Sequence, residues 1–222
     1  MTDFQRYLDN LPLLHSWDGG QTWNTGGFQR EHLEKLHGFL KKNLPPAPRL
    51  LETGAGNSTI SLLFLPPSRL VSIAPEANLF GRISAYCSTH GIPTNALEAH
   101  VDSSEWVLPK LAEGMKDAPL FDFVLIDGCH NWPMVFVDFF YCNYMLKPGG
   151  YLMIDDVQLH SVKELARMMS EQPEFKLALD LGKSLVFQRT NKGNRALGEW
   201  GAVPYIVRKT NEYARTDNPF AL

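Results

Sequence analysis

The sequence predicts an α/β protein built as a doubly wound, mainly parallel sheet that finishes in an antiparallel hairpin. Three observations predict it. From residue 49 onwards, short apolar runs alternate with helical stretches, and that rhythm makes β-α-β units with right-handed crossovers. One run, Phe121-Asp122-Phe123-Val124-Leu125-Ile126-Asp127, is apolar almost throughout, as expected of a strand covered by helices on both faces. Near the end, residues 175–181 and 184–189 read as strands separated only by Gly182-Lys183. A gap that short permits only an antiparallel connection.

The elements follow in order. After a Trp- and Gly-rich start, residues 29–44 read as a helix halted by Pro45-Pro46. A strand over 49–52 runs into a glycine turn at 54–56, and Ser58-Thr59 supply hydroxyls suited to opening the next helix. Strands are expected at 69–74 and 95–100, with helices at 76–90 and 105–115. A helix follows Pro133, and Lys147-Pro148-Gly149-Gly150 turns the chain into a strand over 151–155. One more helix, 161–171, precedes the hairpin. Residues 1–48 form an N-terminal cap, 49–190 the catalytic domain and 191–222 a tail, all within one domain because no linker or low-complexity run separates them.

Composition narrows the function classes. With 222 residues, 44% hydrophobic and 20% charged, the chain has apolar surface for a large core. The formal net charge is −3 and no basic run exceeds two residues, as at Lys41-Lys42. Phosphate neutralisation needs clustered cations, so no nucleic-acid partner is expected. No apolar stretch is long enough to cross a bilayer and the first residues are polar, so neither a membrane partner nor a signal peptide is expected. Three cysteines, Cys87, Cys129 and Cys142, match neither a disulfide framework nor a zinc site. A reducing, cytoplasmic setting fits them. A homo-oligomer is neither required nor excluded by these residues.

The chemistry starts at Leu51-Glu52-Thr53-Gly54-Ala55-Gly56-Asn57-Ser58-Thr59. Two glycines where a strand becomes a helix allow a tight turn and close approach of a ligand to the backbone. Thr59 stands where the dinucleotide fingerprint wants a third glycine. Glu52, at the strand end, is placed to order the loop or to accept from a cationic amino group.

Glu52-Thr53-Gly54-Ala55-Gly56 resembles the first motif of class I S-adenosylmethionine-dependent methyltransferases. Phe123-Val124-Leu125-Ile126-Asp127-Gly128 resembles their fourth-strand motif, and Leu146-Lys147-Pro148-Gly149-Gly150 the turn before their fifth strand. The resemblance spans residues 49–189 and rests on the order and spacing of these motifs together. It implies a seven-stranded sheet and S-adenosylmethionine as cofactor. Glu52, Gly54, Ala55, Gly56 and Ser58 would surround its methionine end, Asp102 and Ser103 its adenine, with Asp127 beside them. The family usually ends its second strand with an acid bidentate to the ribose. Here the order is Ser72-Ile73-Ala74-Pro75-Glu76, with alanine at that place. Glu76, two residues on, either reaches the ribose from the same face or opens the next helix, where negative charge suits the dipole.

A second group of residues narrows the subclass. Asp127 ends the fourth strand and Asp155-Asp156 the fifth, so three carboxylates converge at the carboxyl edge of neighbouring strands. Crowded acids repel unless a cation neutralises them, and oxygen ligands suit Mg²⁺. The set Asp127, Asp155 and Asp156 resembles the metal site of the cation-dependent O-methyltransferases of the catechol and macrocin types, the first of which usually has an amide where Asp156 stands. Adjacent strand residues point to opposite faces, so both aspartates serve one ion only if the pleat ends at Asp155; otherwise Asp156 caps the following helix. His130 lies three residues after Asp127, where the catechol type places a lysine base, and an imidazole suits proton removal near neutral pH. The expected reaction is methylation of a small-molecule hydroxyl, with Asp127 and His130 in catalytic roles. An NAD-dependent oxidoreductase, a metal-dependent hydroxylase on the same fold and a non-catalytic ligand-binding protein are the alternatives. Phe136, Phe139, Phe140 and Tyr144 fall at helical spacing and read as core. Trp17, Trp23 and the glycines between them read as a lid over the site or a pin for the N-terminus.

Overall fold

The computed structural model describes residues 3–16, 21, 27–115, 120–190 and 199–214. Trp17 and Trp23 lie outside the described residues. Seven strands form one sheet in the order β3-β2-β1-β4-β5-β7-β6. β1 (Arg49–Thr53), β2 (Arg69–Ile73), β3 (Leu97–His100), β4 (Phe121–Ile126) and β5 (Leu146–Ile154) run parallel. β6 (Phe175–Asp180) and β7 (Leu185–Arg189) make the expected hairpin, and β7 lies antiparallel to both β6 and β5. The last strand in the chain is thus inserted between the fifth and the sixth.

Strand side chains alternate between two cores, as the pleat requires. Leu50, Phe123, Leu125 and Met153 face a cluster with Leu33, Leu36 and Leu40 of α2 (Arg30–Asn43), Ile60 of α3 (Asn57–Leu63) and Ile83 of α4 (Ala77–Thr89). Leu51, Val124, Ile126 and Leu152 face the other, with Leu108 of α5 (Ser104–Gly114), Val135 of α6 (Met134–Met145) and Leu165 of α7 (His160–Glu171). Helices cover both faces, which explains why β4 is buried at all six positions.

Several local expectations need correction. Lys147-Pro148-Gly149-Gly150 is an irregularity inside β5 rather than a turn before it: Phe121 pairs with Leu146, yet Phe123 pairs with Tyr151. Gly150 suits this because a Cβ there would lie 2.9 Å from the Asp122 carbonyl oxygen. Lys147 meanwhile pairs with the buried Asp122 carboxylate. The inward stripe of α6 is Val135, Phe139 and Cys142, while Phe140 is 58% exposed. Met134-Val135-Phe136-Val137 and the residues after them are apolar on every side, so spacing alone does not select the buried face. Two helices carried no strong sequence signal. α1 (Asp3–Asp9) buries Tyr7 and Leu8 in the first core, and α8 (Pro204–Ala214) docks on α7 through Tyr205–Glu164 and Arg208–Glu171 contacts.

Candidate active site

The glycine turn lies at the carboxyl end of β1. Glu52 is wholly buried, and its Oε1 accepts hydrogen bonds from the Thr59 hydroxyl and, at 2.7 Å, the Ser72 hydroxyl. Its Oε2 is buried with no hydrogen-bond partner. Burial pushes this carboxyl up to about 7, against the pull of the Thr59, Ser72 and Ser58 hydroxyls. Thr59 also accepts from the Gly56 amide at 3.0 Å, satisfying that N–H at the start of α3. Ala55 and Ser58 are buried beside them. Gly54 has φ +85°, and a Cβ on it would lie 2.2 Å from the Asp127 carbonyl oxygen. Glycine at 54 therefore serves the packing of the β1 turn against the β4 turn.

The remaining cofactor candidates occupy the same edge. Glu76 is the residue before α4 but makes no side-chain cap; its carboxylate, half exposed, accepts from Arg82 at 2.8 Å. Asp102 is exposed and its Oδ1 accepts from the Ser103 amide at 2.8 Å, just before α5.

Asp127, His130 and Asp156 come together, with one donor atom of each within 4.8 Å of the others. The imidazole lies between the carboxylates: Nε2 is 3.6 Å from Asp127 Oδ1 and Nδ1 is 3.7 Å from Asp156 Oδ2. Both separations are longer than hydrogen bonds and fall in ion-pair range. Asp156 reaches this position because β5 ends at Ile154 and Asp156 itself takes φ +58°. It does not cap α7, whose first turn is preceded by Leu159 without a side-chain cap.

Asp155 stands apart from the cluster that the sequence assigned to it. It is 1% exposed, and its two oxygens take Lys183 Nζ at 3.0 Å and the Ser184 hydroxyl. Lys183 also reaches Asp156 at 3.4 Å and lies over the Phe28 ring, 5.2 Å from its centroid. Burial alone would lower the Lys183 pKa, but Asp155, Asp156 and Asp127 outweigh it and raise it. Desolvation, then the Asp155 charge, raises the Asp127 carboxyl, against the opposing effect of Lys183. Sequence reasoning missed Lys183 because its place depends on β7 pairing with β5, and strand order is not a local signal. It also missed Asp138 of α6, which is fully buried and is pushed up by burial to about 6, against the pull of the Ser104 and Thr53 hydroxyls. Asp138 Oδ2 would lie 3.3 Å from a Cβ on Gly128, directly behind the β4 turn. An open cleft of about 540 Å³, lined by His130, Asn131, Trp132, Leu159, His160 and Ser161, adjoins the cluster. Cys129 is an exposed free thiol, and Cys87 and Cys142 are buried. Among the described residues, no helix is long and apolar enough to cross a membrane.

Residues 51–157 match the family model described as a methyltransferase domain. No curated protein matches the sequence significantly. Among solved structures, the chain is similar to the O-methyltransferase TomG of Streptomyces achromogenes, a tomaymycin-synthesis protein solved with S-adenosylmethionine. That match has 21% identity and a TM-score of 0.63, and covers 75% of this chain and 82% of that one. An O-methyltransferase from Bacillus cereus, solved with S-adenosylhomocysteine, gives 17% identity and a TM-score of 0.59 over 85% and 89% of the two chains. A putative caffeoyl-CoA O-methyltransferase from Staphylococcus aureus gives 14% and 0.60 over 74% and 85%. The match to the methyltransferase domain covers residues 51–157, and the fold is that of these solved methyltransferases.

Proposed function

We propose that the chain transfers a methyl group from S-adenosylmethionine to a hydroxyl of a small-molecule acceptor, with a divalent cation such as Mg²⁺ assisting. The observation that carries this reading is the His130 imidazole flanked by two carboxylates, beside both the glycine turn and an open cleft. The turn fits the cofactor on its own evidence: Glu52 presents a buried oxygen with no partner, which suits a cationic amino group. Asp127 and Asp156 fit a divalent cation by their hard oxygens and their closeness to each other, whereas both oxygens of Asp155 are taken by Lys183 and Ser184 and only Oδ1 of Asp156 is reached by Lys183.

Bound there, the cofactor supplies a methyl group on a sulfonium, and a cation would make the acceptor hydroxyl more acidic. The chain's own task is to orient the acceptor and take its proton. His130 is the proton acceptor, held between Asp127 and Asp156, and Trp132 and Leu159 give the cleft an apolar wall for the acceptor's body.

Calorimetry and turnover assays on hydroxylated aromatics and sugars test this. The wild type should bind S-adenosylmethionine and S-adenosylhomocysteine; no binding of either at millimolar concentration removes the cofactor. Chelator should abolish turnover and Mg²⁺ restore it; full activity in excess EDTA removes the metal. His130→Ala should lower kcat by about 10²–10⁴-fold with cofactor affinity unchanged. Wild-type kcat in that variant takes His130 out of the reaction.

A further inference from the structure

The glycine turn meets an element that none of the motifs includes. Residues 11–16, which follow α1, cross over it and are pinned on both sides. The Tyr7 hydroxyl donates to Asn57, 2.7 Å from its carbonyl oxygen, and Asn57 Nδ2 donates back to the Pro12 carbonyl at 3.2 Å. The Tyr86 hydroxyl of α4 donates to the Asn10 carbonyl at 3.3 Å, and Leu14 is buried in the core. The segment is therefore fixed to the helices on either side of the turn.

This brings the half-buried His15 onto Gly56. Its Nε2 lies 2.5 Å from the position a Cβ on Gly56 would take, with both adjacent ring carbons at 3.5 Å, so the ring meets the turn end-on. Gly56 has φ +157° and ψ −135°, a conformation that disfavours a side chain, and any Cβ would strike the imidazole. The ring also hydrogen-bonds the Ala55 backbone and feels the charges of Glu76 and Arg82. His15 thus sits on the glycine turn within electrostatic reach of Glu76, three residues beyond β2. In doubly wound folds, an acid about 20 residues beyond the glycine turn holds the ribose hydroxyls. Here that stretch ends in Ala74 and Glu76, and Glu76 is shared with Arg82.

We propose that His15 is a cofactor-binding residue, its imidazole holding one ribose hydroxyl of S-adenosylmethionine while Glu76 holds the other. A neutral imidazole can bond the Ala55 backbone through one ring nitrogen and a ribose hydroxyl through the other, and it adds no positive charge beside the sulfonium. Burial keeps the ring in that neutral form by lowering its pKa. The N-terminal segment then completes the cofactor site with a group that the methyltransferase motifs do not supply.

The inference rests on the methyltransferase reading, and calorimetry with S-adenosylhomocysteine and its 2′-deoxy and 3′-deoxy analogues separates the two. The wild type should bind the parent about tenfold more tightly than at least one deoxy analogue. His15→Ala should bind the parent about tenfold more weakly and lose that discrimination, while His15→Gln, which keeps a donor and an acceptor, should retain most of it. His15→Leu, larger and apolar, covers the case in which alanine leaves a gap and the protein fails to fold. If a folded Ala or Leu variant discriminates as the wild type does, His15 is not a ribose ligand and the methyltransferase reading stands. If the wild type binds no S-adenosylhomocysteine at all, both are overturned.

Discussion

Glu52 is a carboxyl held in its less costly, protonated form by burial, at about 7 instead of the ordinary 4.5. Between those two values the unfolded chain gives up a proton that the folded chain keeps, so stability falls as pH rises through the window. Above pH 7 the full cost is about 3 kcal/mol, from roughly 1.4 kcal/mol per unit. Glu52→Gln should therefore raise the free energy of urea unfolding at pH 8 by up to that amount, with the gain fading towards pH 4.5. Asp138 titrates in an overlapping range, but it is common to both proteins and cancels in the comparison. The same substitution should weaken S-adenosylmethionine binding at least tenfold if the proposed pairing of the buried, unpartnered Oε2 with the cofactor's ammonium holds. Equal stability of the two proteins at pH 8 and pH 5 would show that Glu52 is solvated. Substituting Gly54 is a poorer probe of the cofactor, since any side chain there strikes the Asp127 backbone. Glu52, Gly54, Gly56, Asp127 and His130 were visible in the sequence because each belongs to a short motif at a strand end. His15 and Lys183 were not, because each reaches the site from a segment distant in sequence.

At the scale of elements, the β6–β7 hairpin is what completes the acidic edge. Its turn delivers Lys183 and Ser184 to Asp155, so a buried carboxylate depends on a strand nearly thirty residues later. Lys183→Met should cost about 3 kcal/mol in chemical denaturation by leaving Asp155 buried and unpaired. The double variant Lys183→Met with Asp155→Asn should recover most of the loss, and failure to recover would mean that Lys183 acts through Phe28 packing instead. The same hairpin holds α6: Arg189, 2% exposed, donates from Nη1 to the Asn143 and Leu146 carbonyls at 2.7 and 2.8 Å. Those carbonyls lie at the helix end, where no intrahelical donor remains. The hairpin itself was legible from its two-residue gap. Its insertion between β5 and an outer strand was not, because that choice is made by long-range packing. The irregularity at Lys147–Gly150 escaped for a related reason: Pro and Gly signal a turn equally well whether or not pairing resumes around it.

Across the whole molecule, residues 3–16 behave as part of the core. Tyr7, Leu8 and Leu14 are each 2% exposed and share a cluster with Leu50, Phe123 and Met153. Burying such side chains contributes about 1.5–3 kcal/mol apiece, against a typical total stability of about 5–15 kcal/mol. Removing residues 1–16 should lower the melting temperature sharply or prevent folding, as read by circular dichroism. A truncated protein that melts with the wild type but loses cofactor affinity would show that residues 1–16 serve the site and not the core. The alternation that predicted a doubly wound sheet was legible because parallel strands are apolar on both faces; α1 was not, since seven residues give too short a period. The strand order β5-β7-β6 has a consequence for how the molecule is made. On the ribosome, β5 emerges some thirty residues before the strand that pairs with it. Until β7 appears, the growing chain exposes the unpaired backbone of β5 as a template for any neighbouring nascent chain. Maturation is thus withheld until β7, the last of the described strands, is translated, and stalled or clipped products ending before residue 185 should be the species that aggregate.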